Sequence, residues 1–141
     1  MYIKEINDNK EKIEISTKIL KSLPNWFGIP ESTQEYVNKS SKLPFFAAIE
    51  ESNPLGFISI KENNQYTAEI YVMGVLPDYH KQGVGKALFN KTLRWAKEKG
   101  YEFLQVKTLD ESHPDIYYAG TRKFYLSMGF KPLECFPELW G

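Results

Sequence analysis

Residues 75–88 read Val-Leu-Pro-Asp-Tyr-His-Lys-Gln-Gly-Val-Gly-Lys-Ala-Leu. An apolar run ends, a short polar loop follows, and a helical period begins at Gly83-Val84-Gly85. Glycines carry no Cβ, so a ligand can come close to the main chain there. The first N–H groups of a helix have no partners inside it, and the helix dipole makes that end attractive to anions. Lys81 and Lys86 add positive charge. The chemistry that fits is a grip on a diphosphate. A nucleoside triphosphate loop requires Gly-x-x-x-x-Gly-Lys-Ser/Thr, and the spacing differs. A dinucleotide fold requires a third glycine at position 88, which is Leu88. A plain tight turn from strand to helix stays open as an alternative.

Other residues could act on a substrate. Glu69 and Tyr71 lie in the apolar run before this loop, and strict alternation would put Glu69, Tyr71, Met73 and Val75 on one strand face. Glu69 reads equally as a proton acceptor and as an ordinary solvent-facing strand residue. His113, beside Asp110, Ser112 and Asp115, reads as a base or substrate ligand, or as a plain loop with a helix cap. Trp26 and Phe27 could shape a pocket or pack against a sheet.

The elements that must position these residues follow from periodicity. Residues 2–6 read as a short strand. Ile13, Ile15, Ile19, Leu20 and Leu23 predict a helix over 10–22, ended by Pro24. A ring-bearing loop runs over 25–30, and a second helix spans Glu31 to Ser40. Strands are predicted over 44–50, 55–61 and 66–76, consecutive and antiparallel, with turns at Ser52-Asn53-Pro54 and Asn63-Asn64. Residues 83–99 switch to a helical period with Leu88, Phe89, Thr92, Leu93, Trp95 and Ala96 on one face, capped by Gly100. A strand over 103–108 can pair parallel to the long strand through a right-handed crossover. Residues 115–128 predict a further helix, and Phe130 begins a short final strand.

The order His80-Lys81-Gln82-Gly83-Val84-Gly85, after a strand ending in Val75-Leu76-Pro77, resembles motif A of the GNAT superfamily of N-acetyltransferases. There backbone amides hold the pyrophosphate of acetyl-CoA. His80 stands where the family usually has Arg or Gln. Phe124-Tyr125-Leu126-Ser127-Met128-Gly129-Phe130 resembles the family's motif B. Tyr118 stands where the family often has Asn. The resemblance covers roughly residues 66–130. It implies an α/β fold with a central mixed sheet flanked by helices, and acetyl transfer to an amine of a small molecule or peptide. A non-catalytic acyl-CoA sensor of the same fold is the alternative.

The resemblance also implies roles. Val75, Leu76, His80, Lys81, Gln82, Gly83, Val84, Gly85, Lys86, Ala87, Tyr118 and Phe124 would hold the cofactor. Glu69 matches the glutamate base of some members, and Tyr125 matches the tyrosine that protonates the leaving thiolate. Trp26 and Phe27 occupy the loop that in this family often covers the acceptor; Tyr71 and His113, read from the residues alone, are further candidates to meet it. Gly74, late in its strand, suggests a bulge that frees a backbone N–H near Gly74–Val75 for the oxyanion. The family's seventh strand is expected to be absent, leaving its edge to a partner chain, the tail or water; an unpaired edge is an association hazard, so a homodimer is one expectation.

Bulk properties limit the remaining classes. The 141 residues suit one domain, 1–141. Eighteen basic and eighteen acidic side chains balance, which argues against a general polyanion binder, so no nucleic-acid partner is expected. Cys135 is the only cysteine, which excludes an internal disulfide and fits the cytoplasm. No residues have metal-ligand spacing, so no metal is expected. No apolar run at the start suits a signal peptide or a membrane span.

Overall fold

The computed structural model describes residues 1–24 and 30–106. By compactness the chain divides into Met1–Gln105 and Val106–Gly141, and the described residues lie in the first unit apart from Val106. The expected helix over 115–128, the final strand and the missing seventh strand lie outside the described residues.

Strand β1 (Tyr2–Glu5) leads into helix α1 (Asn9–Lys21). Asp8 caps α1, accepting from the Glu11 N–H at 3.0 Å. Helix α2 (Pro30–Ser40) starts on a proline, whose missing N–H costs nothing at a first helical position. Strands β2 (Phe45–Glu50), β3 (Asn53–Glu62) and β4 (Thr67–Val75) follow. Helix α3 (Val84–Glu98) then crosses to β5 (Phe103–Val106). The strands lie in the order β1-β2-β3-β4-β5, with the first four antiparallel in sequence and the sheet mixed overall.

The β2–β3 turn sits one residue earlier than its proline suggested. Glu50 pairs with Asn53, and Glu51 and Ser52 both have positive φ, 49° and 68°. This is the two-residue geometry that matches strand twist, adopted without the usual Asn or Gly. Asn64 builds the next turn, its Oδ1 accepting from the N–H groups of Tyr66 and Thr67 at 2.8 and 3.0 Å.

Helices cover both faces of the sheet, so β3 is buried on both sides rather than alternating. On one face, Phe45, Ala47, Phe57 and Val72 pack with Ile15, Ile19, Leu20 and Val37 of α1 and α2. Phe45 and Phe57 stack with centroids 5.1 Å apart. Ser59 points into this apolar layer and is satisfied by the Ser40 hydroxyl at 2.9 Å. On the other face, the Trp95 ring of α3 meets Phe46 edge-on at 6.4 Å. Helix α3 ends as predicted at Gly100, with φ 86°. The N–H groups of Gly100 and Tyr101 return to the carbonyls of Lys97 and Ala96 at 3.1 and 2.9 Å.

Two small residues set the spacing around β4. A Cβ on Gly56 would lie 3.2 Å from side-chain carbons of both Val75 and Val84, so the start of α3 seats directly over β3. A Cβ on Gly74 would lie 3.0 Å from Ile19 Cγ2 and 3.3 Å from Leu23 Cδ1. Gly74 is therefore small because α1 packs against it. It pairs in regular register with Phe57.

The bulge expected at Gly74 instead falls at Tyr71. Ser59 pairs with Val72 and Ile60 with Ile70, leaving Tyr71 as the extra residue. This overturns the simple alternation along β4. Paired residues share a face, so Glu69 lies with Val72 and Gly74 on the α1/α2 side. Met73 and Val75 lie on the α3 side, because one inserted residue reverses every side chain beyond it.

Candidate active site

The loop from β4 to α3 is closed by its own side chains. Leu76 N–H bonds Leu55 O at 2.8 Å, so the Leu76 amide faces β3. Alternation then turns the carbonyl of Val75 away from β3. That carbonyl lies 2.7 Å from His80 Nε2, which must carry the proton because a carbonyl oxygen only accepts. Pro77–Tyr79 form one tight turn, with Tyr79 N–H on Leu76 O at 2.9 Å. Gln82 Nε2 donates to Asp78 O at 2.8 Å.

The chain then enters α3 through two left-handed residues, Lys81 (φ 63°) and Gly83 (φ 83°). A Cβ on Gly83 would meet nothing within 4 Å. Glycine is favoured there by backbone conformation, and the space beside it is open. No side chain caps α3, and its first turn carries no acidic residue. The first helical bond at this end is Ala87 N–H to Gly83 O, 3.0 Å. The preceding N–H groups are the donors that a helix start offers to an anion. Lys81 and Lys86 are both exposed on this loop and helix end. Donors, open space and positive charge together fit a diphosphate.

Of the predicted cofactor residues, Val75, Leu76 and the run 80–87 are contiguous at one end of β4. Glu69 lies toward the other end, about 20 Å along the strand by the usual rise per residue. It is 5% exposed, which overturns the solvent-facing reading. Its Oε1 accepts from Gln105 Nε2 at 2.7 Å and Asn63 Nδ2 at 3.2 Å. Two amide donors thus fix the carboxylate where β4 meets β5. Sequence reasoning assigned Asn63 only to a turn and gave Gln105 no role. Nothing in their spacing relates them to Glu69, because 36 residues separate Gln105 from it.

Tyr71, on the bulge, leans toward α2. Its ring centroid is 5.5 Å from that of Tyr36, and Lys39 Nζ lies 5.9 Å from the ring. Burial, reinforced by Tyr36 and Glu35, pushes the Tyr71 phenol up to about 12, so it remains a hydrogen-bond donor at neutral pH. A cleft of about 240 Å³ opens beside it, lined by Lys39, Lys42, Leu43, Lys61 and Tyr71. The predicted residues Trp26, Phe27, His113, Tyr118, Phe124 and Tyr125 lie outside the described residues.

A family model described as the acetyltransferase (GNAT) family matches residues 14–130, most of the chain. The chain belongs to the GNAT acetyltransferase family. Streptothricin acetyltransferase A of Bacillus subtilis (strain 168) is 39% identical over 75 residues, which make up 53% of this chain and 43% of that protein. An uncharacterized N-acetyltransferase of Methanocaldococcus jannaschii is 27% identical over 106 residues, 71% of this chain and 44% of that protein. The chain thus matches less than half the length of either curated relative. The crystal structure of an aminoglycoside 6'-N-acetyltransferase complexed with coenzyme A superposes with TM-score 0.76 at 20% identity. It covers 100% of this chain and 91% of that one, and the likeness establishes the GNAT fold. The family match includes the uncapped start of α3. Among the described residues, no helix is long and apolar enough to cross a membrane.

Proposed function

We propose that this GNAT protein transfers the acetyl group of acetyl-CoA to an amine. The observation that carries this reading is the open, uncapped helix start reached through left-handed Lys81 and Gly83, directly after β4. The N–H groups of residues 83–86 would hold the diphosphate, with Lys81 and Lys86 balancing its charge. The half-buried stretch of β4 near Val75 would receive the extended arm. Acetyl-CoA supplies an activated thioester, whose acyl carbon passes to the amine nitrogen as the C–S bond breaks.

The residues of this chain handle the protons. A free alkylamine has a pKa of about 10.4 and is mostly protonated at neutral pH. Glu69, fixed by Asn63 and Gln105, would take that proton, directly or through water. Tyr125 would supply a proton to the departing sulfur. Trp26, Phe27 and His113 would border the acceptor, with Tyr118 and Phe124 on the cofactor side. The family match spans both compact units, which supports residues 1–141 acting as one domain. A homodimer and a cytoplasmic location complete the reading; they rest on the expected absence of a seventh strand and on the single Cys135.

The test is calorimetry with CoA followed by thiol release from acetyl-CoA over an amine panel. Streptothricin and an aminoglycoside belong in that panel because relatives carry those names. Micromolar CoA binding with amine-dependent thiol release is expected. CoA binding without release for any amine would favour a sensor, a reading that the double amide grip on Glu69 also accommodates.

A further inference from the structure

We infer that the acceptor is a small amine that also carries an anionic group, a carboxylate or a phosphate, seated in the cleft lined by Lys39, Lys42, Lys61 and Tyr71. The inference rests on the transferase reading and names its substrate class.

The cleft touches β4 at the Tyr71 bulge. Lys61 is the register partner of Glu69 across β3 and β4, so cleft and carboxylate share one face of the sheet. The charge of the lining is lopsided. Lys39 is paired with Glu35 at 3.5 Å. Neither Lys42 nor Lys61 has an ion-pair partner among the described residues. Glu69, the carboxylate nearest in register, is buried and held by two amides. The walls themselves are lysine stems, Leu43 and the Tyr71 ring, and Lys42 and Lys61 are exposed.

This arrangement suits an anion at the rim and an apolar or aromatic body on Tyr71. The lysine charges also oppose a polycation, which is the charge class of an acceptor with several protonated amines.

The experiment measures thiol release from acetyl-CoA by the full chain with matched acceptors. One series pairs an aromatic amino acid with its uncharged amide. A second pairs an aminoalkyl phosphate with the plain aminoalcohol, and an aminoglycoside serves as the polycation. The carboxylate or phosphate acceptor should show the lower KM. The double variant Lys42→Met/Lys61→Met keeps the apolar stems. It should raise KM for the anionic acceptor about tenfold, the loss of one or two charge-assisted contacts, with kcat and CoA affinity unchanged. The amide and aminoalcohol should be indifferent to the variant. A wild type that prefers the aminoglycoside or the uncharged partners, or a variant that leaves the anionic KM in place, overturns the inference while leaving the transferase intact. CoA binding without thiol release for any acceptor overturns the transferase reading, and this one with it.

Discussion

His80 Nε2 hydrogen-bonds the carbonyl oxygen of Val75 at 2.7 Å, tying the β4–α3 loop back onto the strand that precedes it. The family's usual Arg or Gln is replaced here by a side chain that braces the loop. A typical hydrogen bond contributes about 1 kcal/mol net. His80→Ala should therefore weaken CoA binding by about fivefold, and His80→Gln, which can still donate, should recover part of it. Calorimetry with CoA reads both; equal affinity for all three proteins would leave the bond without a binding role.

Gly83→Ala separates backbone strain from ligand exclusion. The new Cβ meets no neighbour in the free protein, but φ 83° is unfavourable for alanine by about 1–2 kcal/mol. The expected fall in Tm is a few degrees. Because the open space at Gly83 is where the diphosphate would lie, the loss in CoA affinity should exceed that stability cost. Unimpaired CoA binding would remove the phosphate grip from this loop.

Glu69→Gln keeps the shape and one acceptor oxygen for Asn63 and Gln105, so the fold should survive. If Glu69 takes the amine proton, kcat should drop by about 10²–10⁴ with CoA affinity preserved. The drop should shrink as pH rises and more of the acceptor is already neutral. An active Glu69→Gln would make the carboxylate a structural anchor between β4 and β5.

The hairpin turn at Glu51-Ser52 holds two non-glycine residues at positive φ. Replacing them with Asn-Gly, which favours that turn, should stabilise the protein by about 1 kcal/mol without altering CoA binding. Thermal unfolding is the measure; an unchanged or lower Tm would contradict the strain.

Tyr71 should ionise late. Its folded value is raised to about 12 from an ordinary 10, chiefly by burial. A raised value in the folded state means stability that is complete below pH 10 and lost as pH climbs toward 12. Ultraviolet titration should show less phenolate at pH 11 in the wild type than model tyrosine predicts. Tyr71→Phe should remove absorbance only at the alkaline end. A Tyr71 that titrates near 10 would mean its ring does not pack against Tyr36.

Much of the fold follows from local pattern. The Ile19-Leu20-Leu23 spacing predicts α1, the antiparallel strands follow from turn chemistry, and Gly100 marks the end of α3. The loop from β4 to α3 is equally local: strand end, left-handed residues and helix start are neighbours in the chain, and glycine chemistry reports its backbone directly. The boundaries that moved did so where long-range packing competes with local signal. The β2–β3 turn formed at Glu51-Ser52 because strand register, rather than Pro54, fixed it. Gly74 is small for α1 and marks no bulge.

The sequence by itself determined the order of the described elements and the turn from β4 into α3, because both depend on residues within a few positions of each other. Only the tertiary structure decided which way β4 points its side chains. The extra residue at Tyr71 is defined by pairing with β3, a strand whose contribution no spacing within β4 reveals. The grip on Glu69 by Asn63 and Gln105, and the gathering of Lys39, Lys42 and Lys61 around Tyr71, likewise depend on elements distant in the chain. Their positions are set by sheet register and helix packing, which single-residue preferences do not encode.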